Sequence, residues 1–533
     1  MIVLLGVALL LLPSAQADGA TSATPPRQVD LSLSVVRGSG ARIVDELGRT
    51  VLLRGINVNQ LGEYYTDNPA NPSTIPLTER DFQQIAGLGF DVVRLLTTWS
   101  RWEPQPGVFD TTYLAQVRQA IDWARANDLY VIVDMHQDAW GPHIATPPSE
   151  TCTPPLSGNV GWDGAPAWAT LTDGLPTCKL SLREVSPAVA QAWTSFYADR
   201  PGPGGVGIQQ RLVTTWGRIA AGLAGDPAVA GYDLLNEPNP GYFVHDAAAL
   251  GRFYSRAVDA IRAGERSAGG PHRLVLFEPS ALWSALSFHP TPNPGFSTDP
   301  ALVFAPHVYA GSLTADQSTP LAGALSISQG HDNAKAWASA FSTTYFSGEW
   351  GWFGNPAEQG SKAAEYARQE DARLVGGAWW SWKQACGDPH QIGTPGNPPG
   401  AVSPSLVRYS CPGDIELGIP PQFGTVLSRS YPRAAPGVLR SLVSDPSTGV
   451  LRLTGEAPGA SGAAATLDLW MPDRGLGAPV VTGVNVSNVV AHQVNGGWRI
   501  SALATGLYSV HLRPALPLIQ GIRSAATSAW GIR

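Results

Sequence analysis

Two short segments of the sequence each end an apolar run in a carboxylate. Residues 231–238 contain Glu237, and residues 346–350 contain Glu349. A buried strand of a parallel barrel looks like this where its last residue emerges into a site at the carboxyl end. Two carboxylates placed in this way can hydrolyse a glycosidic bond: Glu237 would give a proton to the leaving oxygen and Glu349 would attack the sugar. One such glutamate alone is as readily a structural ion-pair partner, but the pair predicts a glycosidase.

Other polar side chains close neighbouring predicted strands. Arg94 ends the second strand, where a buried arginine would keep a nearby carboxylate ionised, with a structural salt bridge as the alternative. His136 ends the third strand and can hydrogen-bond a sugar hydroxyl, although a lone histidine is as often structural. Asn236 lies beside the predicted acid, where its amide can hold the sugar 2-hydroxyl.

The later strands supply the rest of the predicted site. His307 and Tyr309 follow the sixth strand, and a tyrosine hydroxyl aimed at the nucleophile would position it. Trp382 follows the eighth strand and is the predicted stacking platform under the sugar. As the acid, Glu237 must carry a proton, and burial near a second carboxylate is expected to raise its pKa.

An alternation of strands and helices must position these residues. Helical spacing is clear at Leu114, Val117, Ile121 and Ala124, with Asp110 as a plausible N-cap. Eight strands alternating with helices predict an α/β fold, a (β/α)8 TIM barrel over residues 41–430. The predicted strands are 51–58, 92–96, 130–134, 231–235, 274–277, 302–305, 344–347 and 377–380.

Two regions do not fit the alternation. Residues 143–207 form a long insertion rich in Pro, Gly and Ser, and loops of this kind shape the cleft of a barrel. From residue 431 short strands recur between turn residues, which predicts a C-terminal β-sandwich over 431–516. Trp470 and Trp498 are interpreted as core residues of this sandwich, with contact to a lipid or glycan as the alternative. Residues 517–533 show no period and are left unassigned.

The start of the chain and its cysteines indicate export. Residues 2–12 are almost wholly apolar and precede Ala15-Gln16-Ala17, so residues 1–17 are a predicted signal peptide and the protein is expected to be secreted. Residues 18–40 are predicted to be a flexible lead-in. The four cysteines allow three pairings, of which sequence proximity favours Cys152–Cys178 with Cys386–Cys411.

Composition excludes several classes of function. A net charge of −7 leaves no basic surface for nucleic acid. The 18 Trp fit an enzyme that stacks indole rings on sugars, although large cores use Trp too. The cysteines lack the spacing of a metal site, and two carboxylates with a water complete the predicted reaction, so neither a metal nor an organic cofactor is expected.

The predicted site resembles glycoside hydrolase family 5, a retaining family of clan A with the (β/α)8 fold. In that family the glutamate after Asn is the acid/base and the later glutamate is the nucleophile. The residues that match its eight characteristic positions, in order, are Arg94, His136, Asn236, Glu237, His307, Tyr309, Glu349 and Trp382.

Within this family the chain is most similar to bacterial endoglycoceramidases, which cut the β-bond between a glycan and ceramide. The similarity is carried by Asp-Met-His-Gln-Asp at 134–138, by 164–170 with 173–176, and by Tyr-Pro-Arg-Ala at 431–434. It implies that Asp134 and Asp138 help to bind the first sugar, with loop capping and ion pairing as the alternative. It also implies a glycolipid substrate, transient contact with a membrane or micelle surface, and a monomer.

The substrate stays open because the chain departs from that pattern. Residues 57–65 contain no lysine where bacterial endoglycoceramidases carry a Ser-Ala-Lys stretch, and bulky residues at 350–353 and 380–386 would reshape the cleft. The alternatives are a glucosylceramide, a steryl glucoside or an aryl diglycoside. An endo-β-glucanase or mannanase is a further alternative, and so is a binding protein built on an inactive barrel.

Overall fold

The computed structural model describes residues 27–66, 68–180, 182–242, 247–286, 291–310, 325–352, 355–390, 400–458 and 464–515. The predicted signal peptide at 1–17, the first part of the lead-in and the unassigned tail at 517–533 lie outside these residues. The structure therefore tests the barrel and the sandwich but not the two ends of the chain.

Residues 27–51 form a small antiparallel unit and not a flexible lead-in. A 3-10 helix at Gln28–Asp30 precedes strands β1 (Leu33–Val36), β2 (Arg42–Asp45) and β3 (Arg49–Val51). The prediction of a lead-in over 18–40 is wrong from residue 27 onward, because Val29 and Leu33 are buried and β1 pairs with β2. Burial of these apolar side chains holds the segment in place.

The eight strands that follow form a parallel barrel. Each pairs with its chain neighbour except at one seam, and the last strand pairs with the first. At the seam the sixth and seventh strands meet through a bridge between Phe304 and Tyr345, so the ring is nearly closed. This confirms the predicted fold. The strands are β4 (Arg54–Val58), β5 (Val92–Thr98), β6 (Tyr130–His136), β7 (Val229–Asp233), β8 (Leu274–Phe277), β9 (Leu302–Phe304), β10 (Phe346–Trp350) and β11 (Gly376–Trp379).

Helices connect the strands and surround the barrel. Asp110 accepts hydrogen bonds from the backbone N–H groups of Thr112 and Tyr113, which confirms it as an N-cap. The helices are α1 (Glu79–Gly87), α2 (Trp99–Trp102), α3 (Thr111–Ala126), α4 (Pro187–Tyr197), α5 (Ile208–Leu223), α6 (Ala247–Ser267), α7 (Ala281–Leu286), α8 (Ile327–Ala340), α9 (Pro356–Arg373) and α10 (Pro421–Leu427). Among the helices that the structure describes, none is long and apolar enough to cross a bilayer.

After the barrel the chain becomes antiparallel. A hairpin of β12 (Arg408–Ser410) and β13 (Ile415–Gly418) precedes α10, and six longer strands follow it. One half of β19 pairs with β17 and the other half with β16, so the sheet folds over a single core that includes Leu453, Leu469 and Val510. The longer strands are β14 (Tyr431–Pro436), β15 (Val438–Asp445), β16 (Val450–Glu456), β17 (Ala465–Pro472), β18 (Pro479–Val494) and β19 (Gly497–Pro514).

The N-terminal strands belong to this C-terminal sheet. β3 pairs with β14, so β1 to β3 extend the sandwich sheet to nine strands. The predicted boundary at residue 41 is therefore wrong, and the predicted strand at 51–58 divides: Val51 ends β3 and Arg54 begins β4. The residue types at 51–58 cannot show this division, because the division depends on which distant strand each half pairs with.

The sandwich packs directly on the amino-terminal end of the barrel. Asp128 pairs with Arg433 at 3.2 Å and with Arg499 at 2.7 Å. Trp470 is buried and packs against Gly89, where a Cβ atom would lie 2.2 Å from the indole ring. Gly89 also has a φ of +86°, so only glycine suits this position. Trp470 and Trp498 contribute to the sandwich core, as the first interpretation predicted.

Two disulfides hold loops that follow barrel strands. Cys152 pairs with Cys178 inside the 143–207 insertion, and Cys386 pairs with Cys411 after β11. Both predicted pairings are confirmed. Because a crosslink reduces the conformational freedom of the loop that it closes, each loop is held in one arrangement beside the barrel opening.

Replacing Trp470 with alanine should lower the free energy of unfolding by about 4 kcal/mol, since a fully buried indole is lost and its cavity cannot collapse around Gly89. Denaturant unfolding followed by tryptophan fluorescence and circular dichroism measures this change. Leu507→Ala is the matched control, because Leu507 lies in the same sandwich but is 61 % exposed. A loss of less than about 1 kcal/mol for Trp470→Ala would contradict its place in the core.

Candidate active site

A buried arginine organises the carboxyl end of the barrel. Arg94 on β5 is fully buried and contacts carboxylates from four other strands or strand ends. Its guanidinium also donates to the side-chain oxygens of Asn57 and Asn236, each at 3.0 Å. A charge at this depth is tolerated only when it is paired, so Arg94 and the four carboxylates hold one another in a fixed arrangement. The four carboxylates are those of Asp134 (2.8 Å), Asp233 (2.9 Å), Glu278 (2.8 Å) and Glu349 (2.9 Å).

Glu349 on β10 is held in a fixed direction by two hydrogen bonds. One carboxylate oxygen accepts a hydrogen bond from Arg94 at 2.9 Å, and the other accepts from the Tyr309 hydroxyl at 2.9 Å. The residue is only 5 % exposed, so solvent competes little for these bonds. An ionised, oriented carboxylate is what a nucleophile at a sugar carbon requires.

Glu237 lies opposite, four residues beyond Asp233, the last paired residue of β7. Its Oε1 accepts hydrogen bonds from Ser284 and from the Nδ1 of His307, both at 2.9 Å. Its φ of +35° is unusual for a residue with a side chain, and such a backbone persists only where its surroundings enforce it. Glu278 accepts the Glu237 N–H at 2.8 Å and Gln137 donates to the Glu237 carbonyl at 3.0 Å, which supplies that constraint.

His307 and Glu237 shift the pKa of one another in opposite directions. Burial would lower the pKa of His307, but Glu278, Glu349 and Glu237 around the ring raise it well above its usual value. Burial would likewise raise the pKa of Glu237, but the hydrogen bond and charge of His307 outweigh burial and lower it. The expectation of a raised pKa for Glu237 is therefore wrong for the free site, because a protonated imidazole lies beside the carboxylate.

Glu278 is a third carboxylate that the sequence analysis missed. Its Oε1 lies 3.1 Å from the Nε2 of His307, and burial raises its pKa to about 8. Glu278 comes directly after the predicted strand at 274–277, so its position at a strand end was a usable signal. Asp233 ends β7 in the structure, but it lies inside the predicted strand at 231–235 and so carried no such signal.

The two catalytic candidates are close enough for one sugar to lie between them. An oxygen of Glu237, an oxygen of Glu349 and a ring nitrogen of His307 lie within 4.8 Å of one another. Retaining glycosidases place their carboxyl groups about 5 Å apart, whereas inverting enzymes leave about 6.5 Å or more for a water. The separation in this site is the one that suits a covalent intermediate.

The structure moves the predicted sugar platform by two residues. Trp382 is fully buried. Its indole N–H donates to Asp81 on α1 at 2.9 Å and not to Glu237 or Glu349. The prediction for Trp382 is therefore wrong. Trp380 instead packs with Tyr309 and lies beside the His136 ring, with ring centroids 5.3 Å apart. Both tryptophans follow β11, and sequence cannot tell which side of the strand end faces the cleft.

His136 belongs to a second polar cluster. Its Nδ1 lies 2.7 Å from Asp134, and burial, which would lower its pKa, is outweighed by Asp163 and Asp134, which raise it. Asp138 is bonded to Arg183 at 2.5 Å and to His390 at 2.6 Å. These contacts agree with the ion-pair alternative for Asp134 and Asp138, while their role in sugar binding stays a prediction.

This cluster contains residues that the sequence analysis did not select. Asp163 and Arg183 come from the 143–207 insertion, and His390 follows the eighth barrel strand. His136, Asp138, Asp163 and His390 each offer an atom within 4.8 Å of the others, so together they have the donor types of a metal site. No local pattern marks them, because they come from three loops far apart in the sequence.

Comparisons with known proteins agree with this geometry. Residues 44–385 match the family model described as Cellulase (glycosyl hydrolase family 5). A crystal structure of endogalactoceramidase is 43 % identical, covers 90 % of this chain and 99 % of its own, and superposes with a TM-score of 0.79. The complex of endo-glycoceramidase II from Rhodococcus sp. with ganglioside GM3 is 24 % identical, covers 89 % and 99 %, and has a TM-score of 0.67, which shows the shared fold.

A curated relative is similar over a shorter stretch. Endoglycoceramidase I of Rhodococcus hoagii (strain 103S) is 29 % identical over 289 residues, which are 52 % of this chain and 53 % of the relative. The chain thus spans about half the length of the curated relatives that it matches most strongly. The match supports a shared catalytic region, and it leaves the activity of the whole protein to be proposed.

Alanine at Trp380 should mainly lower activity, whereas alanine at Trp382 should mainly lower stability. Trp380→Ala should lower kcat/KM at least about tenfold, because a stacked ring is lost from the cleft. Trp382→Ala should keep kcat/KM within a few-fold but lower the free energy of unfolding by about 3–5 kcal/mol. Steady-state kinetics below both unfolding transitions, together with denaturant unfolding, separate the effects. The reverse pattern would return the platform to Trp382.

Proposed function

Because the chain belongs to glycosyl hydrolase family 5, we propose that it hydrolyses a β-glycosidic bond with retention of configuration at the sugar carbon. Glu349 is the nucleophile and Glu237 is the acid/base. The observation that carries this proposal is the approach of the two carboxylates within 4.8 Å, with Glu349 held ionised by Arg94 and Glu237 bonded to His307.

The first step replaces the bond to the leaving group with a bond to the enzyme. Glu349 attacks the anomeric carbon while the bond to the leaving oxygen breaks, and that oxygen takes a proton from Glu237. The proton is available in the hydrogen bond between His307 Nδ1 and Glu237 Oε1. Asn236, held by Arg94 and by its donation to the Gln137 carbonyl at 3.0 Å, is placed to contact the 2-hydroxyl.

The second step releases the sugar. Glu237, now a carboxylate, takes a proton from a water, and the water oxygen attacks the anomeric carbon as the bond to Glu349 breaks. Tyr309 and Arg94 then receive the Glu349 carboxylate in its original hydrogen bonds. Two inversions at one carbon give overall retention.

The substrate that we propose is a glycolipid in which galactose is linked to ceramide. The support is the 43 % identity with endogalactoceramidase across 90 % of the chain, together with the name of the Rhodococcus hoagii relative. The departure from the Ser-Ala-Lys stretch agrees with a glycone side unlike that of other bacterial endoglycoceramidases. In the corresponding segment of this chain, Gln60 donates a hydrogen bond to the side-chain oxygen of Asn59 at 2.6 Å.

A polysaccharide is a poorer fit to the cleft. An enzyme that cuts within a polymer needs an open groove on both sides of the catalytic carboxylates. Beyond His136, however, Arg183 lies over the Trp162 ring at 3.9 Å and bonds to Asp138. This wall supports a substrate with few sugars before the cut.

We also propose that the protein is exported and acts at lipid surfaces. The apolar segment at 2–12 and two disulfides support export, since disulfides persist in oxidising compartments. A glycolipid substrate requires transient contact with a membrane or micelle. One chain supplies every residue of the site, so a monomer suffices.

Replacing either glutamate should separate the two chemical roles. Glu349→Gln should lower kcat by 10⁴-fold or more on every β-glycoside, on the order expected for removal of a nucleophile. Glu237→Gln should lose about 10²–10⁴-fold on lipid glycosides, but far less on 2,4-dinitrophenyl glycosides, whose leaving group needs no proton. Glu358→Gln, at an exposed carboxylate on α9, is the control and should be unaffected. Normal turnover by Glu349→Gln would refute the assignment.

Product analysis should identify the substrate class. A panel of β-galactosylceramide, β-glucosylceramide, lactosylceramide, a steryl glucoside, cellulose and mannan is incubated with the enzyme, and the products are separated by mass spectrometry. Release of ceramide with fastest turnover on galactose-linked lipid supports the proposal. Release of ceramide mainly from glucose-linked lipids contradicts the choice of sugar but keeps the lipid. Reducing ends from cellulose or mannan, without ceramide release, contradict the lipid substrate itself.

A further inference from the structure

One short segment after β8 holds both the backbone and the side chain of Glu237. Glu278, the first residue after β8, accepts a hydrogen bond from the Glu237 N–H at 2.8 Å. The Ala281 N–H donates to the carbonyl of Pro238 at 3.0 Å. Ser284 on α7 donates to the Glu237 carboxylate at 2.9 Å. This segment therefore fixes the backbone that carries Glu237 and the direction of its carboxylate.

Both oxygens of the Glu278 carboxylate face donors, although the residue is only 1 % exposed. Oε2 accepts the Glu237 N–H, and Oε1 lies 2.8 Å from Arg94 and 3.1 Å from the Nε2 of His307. The Nδ1 of His307 lies 2.9 Å from Glu237. Tyr254 on α6 donates to the Glu278 carbonyl at 2.9 Å and holds its backbone. One carboxylate thus reaches Glu237 along two routes, through the backbone N–H and through the imidazole.

The backbone route matters because the conformation of Glu237 is unfavourable. Its φ is +35°, which residues with a side chain rarely adopt. Gln137 bonds only the carbonyl of Glu237, at 3.0 Å, so the N–H depends on Glu278. A charged acceptor forms a stronger hydrogen bond than a neutral one, and the Glu278 carboxylate is therefore suited to hold this backbone.

The second route is electrostatic and passes through His307. Burial would lower the pKa of His307, but the surrounding carboxylates raise it well above its usual value, and Glu278 has the largest of these effects. A protonated imidazole donates from both ring nitrogens, so it can bond Glu237 while it faces Glu278. The other charged or titratable groups that face His307 or Glu278 are Arg94 on β5, Asp134 on β6, Asp233 on β7, Glu237, Tyr309 and Glu349 on β10.

We propose that Glu278 is a positioning residue for the acid/base: its carboxylate holds the Glu237 backbone in place and faces the His307 ring that bonds the Glu237 carboxylate. This inference rests on the proposed function of Glu237. Glu278 acts on the transfer of a proton to the leaving oxygen and not on the attack by Glu349. Its contribution to the rate therefore grows with the need of the leaving group for a proton.

The test compares leaving groups that differ in this need. Wild type and Glu278→Gln are assayed on phenyl, 4-nitrophenyl and 2,4-dinitrophenyl β-galactosides, which need progressively less proton transfer. For Glu278→Gln, kcat/KM should fall about 10- to 100-fold on the phenyl galactoside but less than about threefold on the dinitrophenyl galactoside. On the phenyl galactoside the basic limb of its pH profile should also move to lower pH, because loss of the Glu278 charge lowers the pKa of His307.

Two further variants serve as controls, and thermal unfolding checks that each variant folds. Asp233→Asn removes another buried carboxylate that contacts Arg94, at 2.9 Å, but has no hydrogen bond to Glu237 among the described residues. It should lower kcat/KM by a similar factor on all three galactosides. Glu278→Asp keeps the charge but shortens the side chain, so it should retain the basic limb and show a smaller form of the same leaving-group dependence. It replaces the glutamine variant if that one does not fold.

Each result supports or overturns the inference. A loss for Glu278→Gln that grows from the dinitrophenyl to the phenyl galactoside, with the shifted basic limb, supports it. An equal loss on all three galactosides with an unshifted limb, or no loss at all, overturns it and leaves the roles of Glu237 and Glu349 intact. If Glu237→Gln itself shows no dependence on the leaving group, or if wild type hydrolyses neither these galactosides nor the lipid panel, the proposed function fails instead.

Discussion

One buried guanidinium sets the geometry of this site. Arg94 is fully buried and meets carboxylates that come from or directly follow β6, β7, β8 and β10. Removing Arg94 would leave these carboxylates uncompensated in a medium of low polarity, which is costly. The strands that carry these groups are therefore tied through their ends as well as through their backbone ladders. Glu349, the proposed nucleophile, takes its direction from this network, and Glu237, the proposed acid/base, is held after the end of β7.

Charge balance around Arg94 also decides where the proton lies. Several carboxylates face a limited number of cations, so His307 becomes protonated and Glu278 keeps a raised pKa. Glu237 receives its hydrogen bond from His307 and is held in an unusual backbone conformation by Glu278 and Gln137. The proposed acid function would therefore depend on this group of side chains and not on Glu237 alone. A substrate that excludes water from the cleft would strengthen each of these interactions.

The remainder of the chain supports the cleft from two sides. At the amino-terminal end of the barrel, the sandwich forms ion pairs with Asp128 and packs against Gly89. Strands β1 to β3 are part of the sandwich sheet, because β3 pairs with β14. At the opposite end, the 143–207 insertion and the loop after β11, each crosslinked by a disulfide, supply the buried residues Asp163, Arg183 and His390. The catalytic candidates thus lie at fixed strand ends, whereas loops of irregular sequence surround them.

The sequence alone determined the barrel, the approximate place of its eight strands, the sandwich and most of the residues around the carboxylates. It could do so because strand and helix periodicity is local, and because residues at the ends of parallel strands must meet. Glu278 also stood at a predicted strand end and was within reach of that reasoning, whereas Asp233 lay inside the predicted strand at 231–235. Only the tertiary structure decided that Trp380 and not Trp382 faces the cleft, that residues 41–51 join the sandwich, and that Asp163 approaches His136. Each depends on packing between segments far apart in the chain, and no local spacing records such contacts.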